Sequence, residues 1–266
     1  KNKAIYVSEF GSKLAPLEKD AAGDISKWSL DGKLIEKNFL PGEKGEKLNK
    51  PRGIWVHGNR LWTTDIDSVW VFDLKTKKGR RLAIPGIQFA NDPMVRGGAL
   101  YVTDNRGDQV FKVEPADFLN AKGEPKIATV FKDAKVNPNG IWPAKGGTLV
   151  VGFQSAEQPR AIYRLGKDGK PAAISDPIGR LDGIYELKDG SLLVLERSFI
   201  RASLKLDIRM RLIPAREIKL GALMDEVRCA RPYGLTKEHW CQLHSTNPLE
   251  RLDGEINWRP DVVAIF

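Results

Sequence analysis

The chain has 266 residues with 41% apolar content, enough to bury a sizeable core and too apolar for a disordered polymer. Its formal charge of +9 is spread out, since residues 201–266 hold eleven Lys/Arg and nine Asp/Glu and the first 200 hold 32 and 25; no concentrated nucleic-acid-binding arm results. No run of about eighteen apolar residues occurs, so no membrane span is expected, and the only cysteines, Cys229 and Cys241, leave residues 1–228 to be held by packing.

In chain order, Lys1-Asn2-Lys3 leads straight into a strand pattern rather than an apolar signal core. That first strand, Ile5-Tyr6-Val7-Ser8-Glu9, recurs as Leu61-Trp62-Thr63-Thr64-Asp65, Leu100-Tyr101-Val102-Thr103-Asp104, Leu149-Val150-Val151-Gly152 and Leu192-Leu193-Val194-Leu195-Glu196, with steps of 39, 49 and 43 residues from the second copy on. After each of the first four copies comes an alternating strand: Asp24–Trp28, Ser68–Phe72, Gln109–Val113 and Arg160–Arg164. Such alternation predicts strands with one buried face. Between two strand patterns, Lys75-Thr76-Lys77-Lys78-Gly79-Arg80-Arg81 reads as a solvated hairpin turn rather than a phosphate-binding patch. In the fifth unit, Ser203–Leu212 is apolar at every second position and predicts one long strand or a strand pair.

Four short strands per 40–50 residues is the rhythm of propeller blades, which bury their faces against each other. The expected fold is therefore all-β, a β-propeller over residues 1–213 with about five blades visible. The first lacks its opening strand and the fifth is incomplete. A helical or irregular tail over 214–266 follows.

The innermost strands start at Pro51-Arg52-Gly53-Ile54, Phe89-Ala90-Asn91-Asp92-Pro93, Asn137-Pro138-Asn139-Gly140-Ile141 and Leu181-Asp182-Gly183-Ile184. On these residues, residues 1–200 resemble the senescence marker protein, gluconolactonase and luciferin-regenerating-enzyme family, with NHL-repeat character. The resemblance implies six blades and one divalent cation in the central channel. It assigns Asn91, Asn139 and Asp182 as metal ligands and Asp182 also as catalytic base. Amide and carboxylate oxygens suit Ca²⁺ or Mg²⁺, and looser sites of this type also take Zn²⁺ or Mn²⁺. A Glu ligand that the family carries on its first inner strand has no counterpart; Glu9 is in the wrong register to replace it. Asn and Asp before Gly are also ordinary turn-capping residues, so the same positions admit a purely structural reading. Asp65 and Asp104 are expected to be strand-end acceptors, and His57 an exposed turn residue.

Beyond Ile213, Arg216–Val227 has apolar residues at helical spacing, weakened by Gly221. From about Ala222, Ala222-Leu223-Met224-Asp225-Glu226, Lys237-Glu238-His239-Trp240, His244–Ile256 and Asp261–Phe266 resemble part of a mutator-type insertion-sequence transposase. There Glu250 matches the last of three carboxylates that hold two Mg²⁺ ions. The two aspartates have no counterpart, so no transposase activity is expected. Cys229, His239, Cys241 and His244 are ligand types for zinc, at a spacing foreign to standard fingers.

Three functions remain open from the sequence. One is a divalent-metal-dependent hydrolase of lactones or related esters, inactive if what it lacks is essential. Another is a non-enzymatic propeller that binds a small molecule or protein ligand in its channel. The third is a chimeric product without selected function. Neither a nucleic-acid partner nor a transmembrane segment is expected, and the family resemblance implies a periplasmic or secreted location.

Overall fold

The structure is a computed structural model and describes residues 4–13, 15–43, 45–152, 160–166, 168–200, 205–213, 225–227 and 262–265. These residues form five antiparallel sheets of four strands each. The first sheet holds β1 (Ile5–Glu9), β2 (Asp24–Trp28) and β3 (Leu34–Leu40), with β20 (Val262–Ile265) beside β1. The second is β4 (Pro51–His57), β5 (Arg60–Asp65), β6 (Ser68–Asp73) and β7 (Gly79–Ala83), and the third is β8 (Ala90–Arg96), β9 (Ala99–Asp104), β10 (Gln109–Glu114) and β11 (Lys126–Lys132). The fourth comprises β12 (Pro138–Ala144), β13 (Gly147–Gly152), β14 (Ile162–Leu165) and β15 (Pro171–Ala173). The fifth comprises β16 (Arg180–Glu186), β17 (Leu192–Ile200), β18 (Lys205–Ile213) and β19 (Asp225–Val227).

In each of the last four sheets the strands are paired in sequence order, and the first strand is the innermost. Strands β4, β8, β12 and β16 pack against one another in succession, and β20 packs against β4. This is the all-β propeller arrangement that the repeat predicts. No helix among the described residues is long and apolar enough to cross a membrane.

The apolar residues sort into layers between successive sheets. Tyr6, Ile25, Ile54, Leu61, Trp70 and Phe72 fill the space between the first and second sheets, and Trp62, Val69, Val71, Leu100 and Phe111 that between the second and third. Met94, Val110, Ile141 and Val150 join the third to the fourth, and Leu149, Val151, Ile184 and Val194 join the fourth to the fifth. Neighbours in one strand, such as Leu61 and Trp62 or Val110 and Phe111, thus point into different layers. The expectation of a single buried face is corrected here, because a middle strand has a blade on each side. Strand β6 is buried from Ser68 to Phe72. Only an outermost strand such as β11 is largely exposed.

At the ends of the propeller the structure is more complete than the repeat alone indicates. The fifth sheet has four strands, and the alternating segment after Ser203 runs as a single strand, β18, along the full length of β17. The inner place in the first sheet is taken by β20, antiparallel to β1 with Val7 opposite Ile265. Asp225–Val227, the end of the segment with helical spacing, is β19 and pairs with Met210–Leu212. A free ladder edge offers main-chain hydrogen bonds to any extended segment, whereas Gly221 weakens a helix by about 1 kcal/mol. Residues 216–224, Cys229, His239, Cys241, His244 and Glu250 lie outside the described residues. The basic segment at Lys75 is the turn between β6 and β7, where Asp73 accepts from the N–H groups of Lys75 at 2.9 Å and Thr76 at 2.8 Å.

Candidate functional site

Each of β4, β8, β12 and β16 breaks register with its neighbour once, and at the same place: between Pro51 and Ile54, Ala90 and Pro93, Pro138 and Ile141, and Leu181 and Ile184. A bulge re-aims the side chains that it carries. Equivalent positions are therefore Arg52, Asn91, Asn139 and Asp182, followed by Gly53, Asp92, Gly140 and Gly183. All three residues assigned by family resemblance occupy the first of these positions, and so does Arg52.

A second repeated device joins the blades. Ser8 Oγ donates to the Arg52 carbonyl at 2.7 Å, Thr64 Oγ1 to that of Asn91, and Thr103 Oγ1 to that of Asn139 at 2.7 Å. The penultimate residue of the second strand in one blade thus holds the bulge of the next, which explains the Ser or Thr in the first three copies. Thr103 also accepts from the Asp92 N–H at 2.9 Å. The fourth copy has Val151 instead. There Gly140 lets the strands close up directly, since a Cβ on it would collide with the Asp182 carbonyl. Thr103→Val keeps the shape but orphans a buried carbonyl and a buried N–H, so it should cost about 2 kcal/mol. Urea unfolding should show a lower midpoint with an unchanged slope.

The ring brings the assigned residues together. The Asn91 amide donates to Asn139 Oδ1, and Asn139 Nδ2 donates to Asp182 Oδ1 at 3.1 Å and to the Leu181 carbonyl at 3.0 Å. Asn91, Asn139 and Asp182 are all buried, with Asp182 at 0% exposure. Asn139 is the hinge of the run, accepting from one side and donating to the other.

Sequence reasoning missed Asp92 as a site residue. Its neighbour positions hold glycine in the other three bulges, and a Cβ on Gly53 would stand 2.5 Å from Asp92 Oδ1. Glycine at 53 therefore makes the room that this carboxylate occupies. Both Asp92 oxygens are buried without a hydrogen-bond donor at bonding geometry. Burial pushes its carboxyl well above the ordinary value, the charge of Asp182 pushes the same way, and the Asn91 side chain opposes both. The visible signal was the departure from Gly after the ring residue.

Asp65 and Asp104 act as expected at the strand ends. Asp65 accepts from the N–H groups of Asn49 at 2.9 Å and Lys50 at 2.7 Å. Asp104 accepts from those of Gln88 and Phe89, both at 2.9 Å, and of Gly107 at 3.0 Å. They shape the turns that launch β4 and β8. His57 is exposed at the end of β4. Glu9 faces Asp24 across the β1–β2 pair, and burial followed by the Glu9 charge raises the Asp24 carboxyl to about 6.

The mouth at this end is partly strapped. Lys50 Nζ donates to the carbonyls of Phe10 at 2.7 Å and Lys13 at 3.3 Å and to Asp20 Oδ2 at 2.6 Å, and Arg52 donates to the Pro16 carbonyl. The β1–β2 connection is thereby tied to the start of β4. Farther along the inner strands, Trp55, Trp142 and Tyr185 occupy one equivalent position. Trp55 and Trp142 have ring centroids 5.4 Å apart, and Trp142 meets Tyr185 edge-on at 4.6 Å.

No group of three or more His, Cys, Asp or Glu side chains suited to a metal exists among the described residues. The oxygen set at the ring is instead mixed, with the carboxylates of Asp92 and Asp182 and the amides of Asn91 and Asn139. Such a set fits a hard cation, which prefers carboxylate and amide oxygens, and the orphaned Asp92 carboxylate is the group that a cation would satisfy.

The fold and ring define a β-propeller with a polar site at the inner ends of its blades. No protein-family description matches the chain, and no curated protein does. Among solved structures, a nidogen/laminin complex matches with TM-score 0.55 and 13% identity over 84% of this chain and 92% of that one. A virginiamycin B lyase from Staphylococcus aureus, solved as a catalytically inactive variant with quinupristin, matches with TM-score 0.50 and 16% identity. This chain is covered to 76% and spans 61% of the length of that lyase. A luciferin-regenerating enzyme matches with TM-score 0.49 and 18% identity over 71% of either chain. At these identities the likeness to the first two, with TM-scores of 0.55 and 0.50, establishes the propeller fold alone.

Proposed function

We propose that the chain is a divalent-metal-dependent hydrolase of lactones or related esters, working at the inner ring of the propeller. The observation that carries this reading is the contiguous run Asn91–Asn139–Asp182 with the orphaned Asp92 carboxylate beside it. Asn91, Asn139, Asp92 and Asp182 would hold the cation, with Ca²⁺ favoured by an all-oxygen set. When bound, such a cation polarises a carbonyl and lowers the pKa of water. The chain's own part is to fix the oxygens and move a proton. Asn139 Nδ2 orients Asp182 Oδ1, and Asp182 is the base for an attacking water. Asp92, whose carboxyl burial and the Asp182 charge raise well above the ordinary value, would hold the cation as its carboxylate. Burial of the ring excludes bulk water, which strengthens each of these interactions.

The propeller of the nidogen/laminin complex supports a second reading, a channel or rim that binds a partner without chemistry. The test is hydrolysis of aldonolactones by the purified chain with Ca²⁺, Mn²⁺, Mg²⁺ or Zn²⁺, together with calorimetric titration of each metal. Metal-dependent turnover with one bound ion supports the hydrolase. Absence of both turnover and metal binding overturns it and leaves the binding propeller.

A further inference from the structure

We propose that Arg52 and Arg106, both ranged over the ring of Phe89 where the third blade begins, recognise an anionic oxygen group, carboxylate or phosphate, on the substrate held at the neighbouring ring; this rests on the hydrolase reading above.

Phe89 lies two residues before Asn91, and the Asp104 carboxylate fixes its N–H. The Arg52 guanidinium carbon sits 3.7 Å from the Phe89 ring centroid and that of Arg106 sits 4.8 Å from it. One aromatic ring therefore carries two cations, and neither forms an ion pair among the described residues. Arg52 is 1% exposed and donates only to main-chain oxygens, the carbonyls of Ala90 at 3.4 Å and of Pro16. Burial followed in size by the pull of Asp65 in the other direction and the like charge of Arg106 brings its guanidinium down to about 9. Asp65 is the carboxylate whose charge opposes that shift, but its oxygens already serve Asn49 and Lys50.

Arg106 is exposed in the β9–β10 connection, and no hydrogen bond from it is formed among the described residues. A long, fully charged side chain normally turns to water or to a carboxylate. Here it sits against a ring already occupied by a buried cation. Cation–π contacts hold the two guanidinium groups, and their mutual repulsion is relieved when an oxyanion lies between them and solvent. Buried, uncompensated positive charge in a low dielectric attracts an anion more strongly than a surface charge does. The forked guanidinium matches a carboxylate or phosphate in shape. Arg52 supplies the buried field and Arg106 the direct contact. Because Arg52 occupies the same ring position as Asn91, Asn139 and Asp182, its field acts beside the ring, and the anionic group of a bound molecule, held by Arg106, would sit next to the oxygen cluster. The ester carbonyl of that molecule would then lie over the oxygen cluster.

The test uses the 266-residue chain without added metal, titrated calorimetrically with inorganic phosphate and with a dicarboxylate at low ionic strength. Expected are saturable binding with one site, at least tenfold weaker binding in Arg106→Gln, and loss of binding in the Arg52→Gln/Arg106→Gln double variant. Arg106→Gln should melt with the wild type because the residue is exposed. Arg81→Gln, which removes a cation paired with Asp67 at 2.8 Å, should bind phosphate as the wild type does. Absence of saturable binding, or equal affinity in Arg106→Gln, overturns the proposal. Metal-dependent turnover of a neutral lactone reports on the hydrolase reading separately. If it occurs, KM for a carboxylate-bearing lactone should rise in Arg106→Gln at least tenfold more than KM for a neutral lactone does.

Discussion

Asp182→Asn should lose divalent-cation affinity by on the order of 100-fold, about 2.7 kcal/mol, with a melting temperature close to that of the metal-free wild type. The side chain is fully buried, and the exchange keeps its volume while removing the charge that sets affinity in an all-oxygen site. The 3.1 Å hydrogen bond from Asn139 Nδ2 to the position of Asp182 Oδ1 is retained if the new amide presents its oxygen there. Turnover of an aldonolactone should fall by about 10³-fold, since both the charge and the base are gone. Calorimetric titration of Ca²⁺ and initial rates measure the two effects separately. Unchanged metal affinity in this variant would count against Asp182 as a ligand, whatever happens to the rate.

Much of the propeller was legible because its repeat is set by chemistry that recurs. The Leu-Tyr-Val-Thr-Asp type of strand reappears since a middle strand faces two apolar layers; in the first three copies its hydroxyl holds the next bulge, and in the second and third its closing carboxylate caps the turn that launches its own blade. Thr103 and Asp104 do both jobs for β9. The placement of Asn91, Asn139 and Asp182 was legible for a related reason, as they share one position in the Asn/Asp motifs at the strand entries. The bulge that turns this shared position into a shared site was not, because bulges are properties of pairing rather than of a single strand. Arg52 was passed over although it has the same place in its blade, since an arginine is not a metal ligand. Strand β20 was hidden by distance: more than 250 residues separate Val7 from Ile265, its partner across the ladder, and local patterning carries no information about such pairing.

Inner strands must approach closely near the axis, and a bulge at a common level relieves that crowding while presenting one side chain per blade. Glycine is the low-cost residue after each presented side chain, and Gly53, Gly140 and Gly183 take it. Asp92 alone departs, and its carboxylate lies where a Cβ on Gly53 would intrude. A buried carboxylate without a donor lowers stability. A bound cation, as proposed for the ring, would supply the partner that this carboxylate lacks.

Asp92→Asn should therefore stabilise the metal-free protein while weakening its response to metal. Removing an unsatisfied buried carboxylate should raise stability by about 1–2 kcal/mol at neutral pH, a melting shift of about 2–8 °C for a chain of this size. The pH dependence gives the sign independently. The folded carboxyl is raised, so the folded state keeps a proton that the unfolded state, near pKa 3.9, has released. Metal-free stability of the wild type then falls as pH rises from about 4 toward the raised value, and Asp92→Asn should flatten that fall. Saturating Ca²⁺ should reverse the order, because a ligand that binds only the folded state stabilises in proportion to the logarithm of its occupancy, and the variant binds it less tightly. Melting curves at several pH values, with and without Ca²⁺, measure all of this in one series. A variant that is no more stable than the wild type without metal, and equally stabilised by Ca²⁺, would show that Asp92 is neither strained nor a ligand.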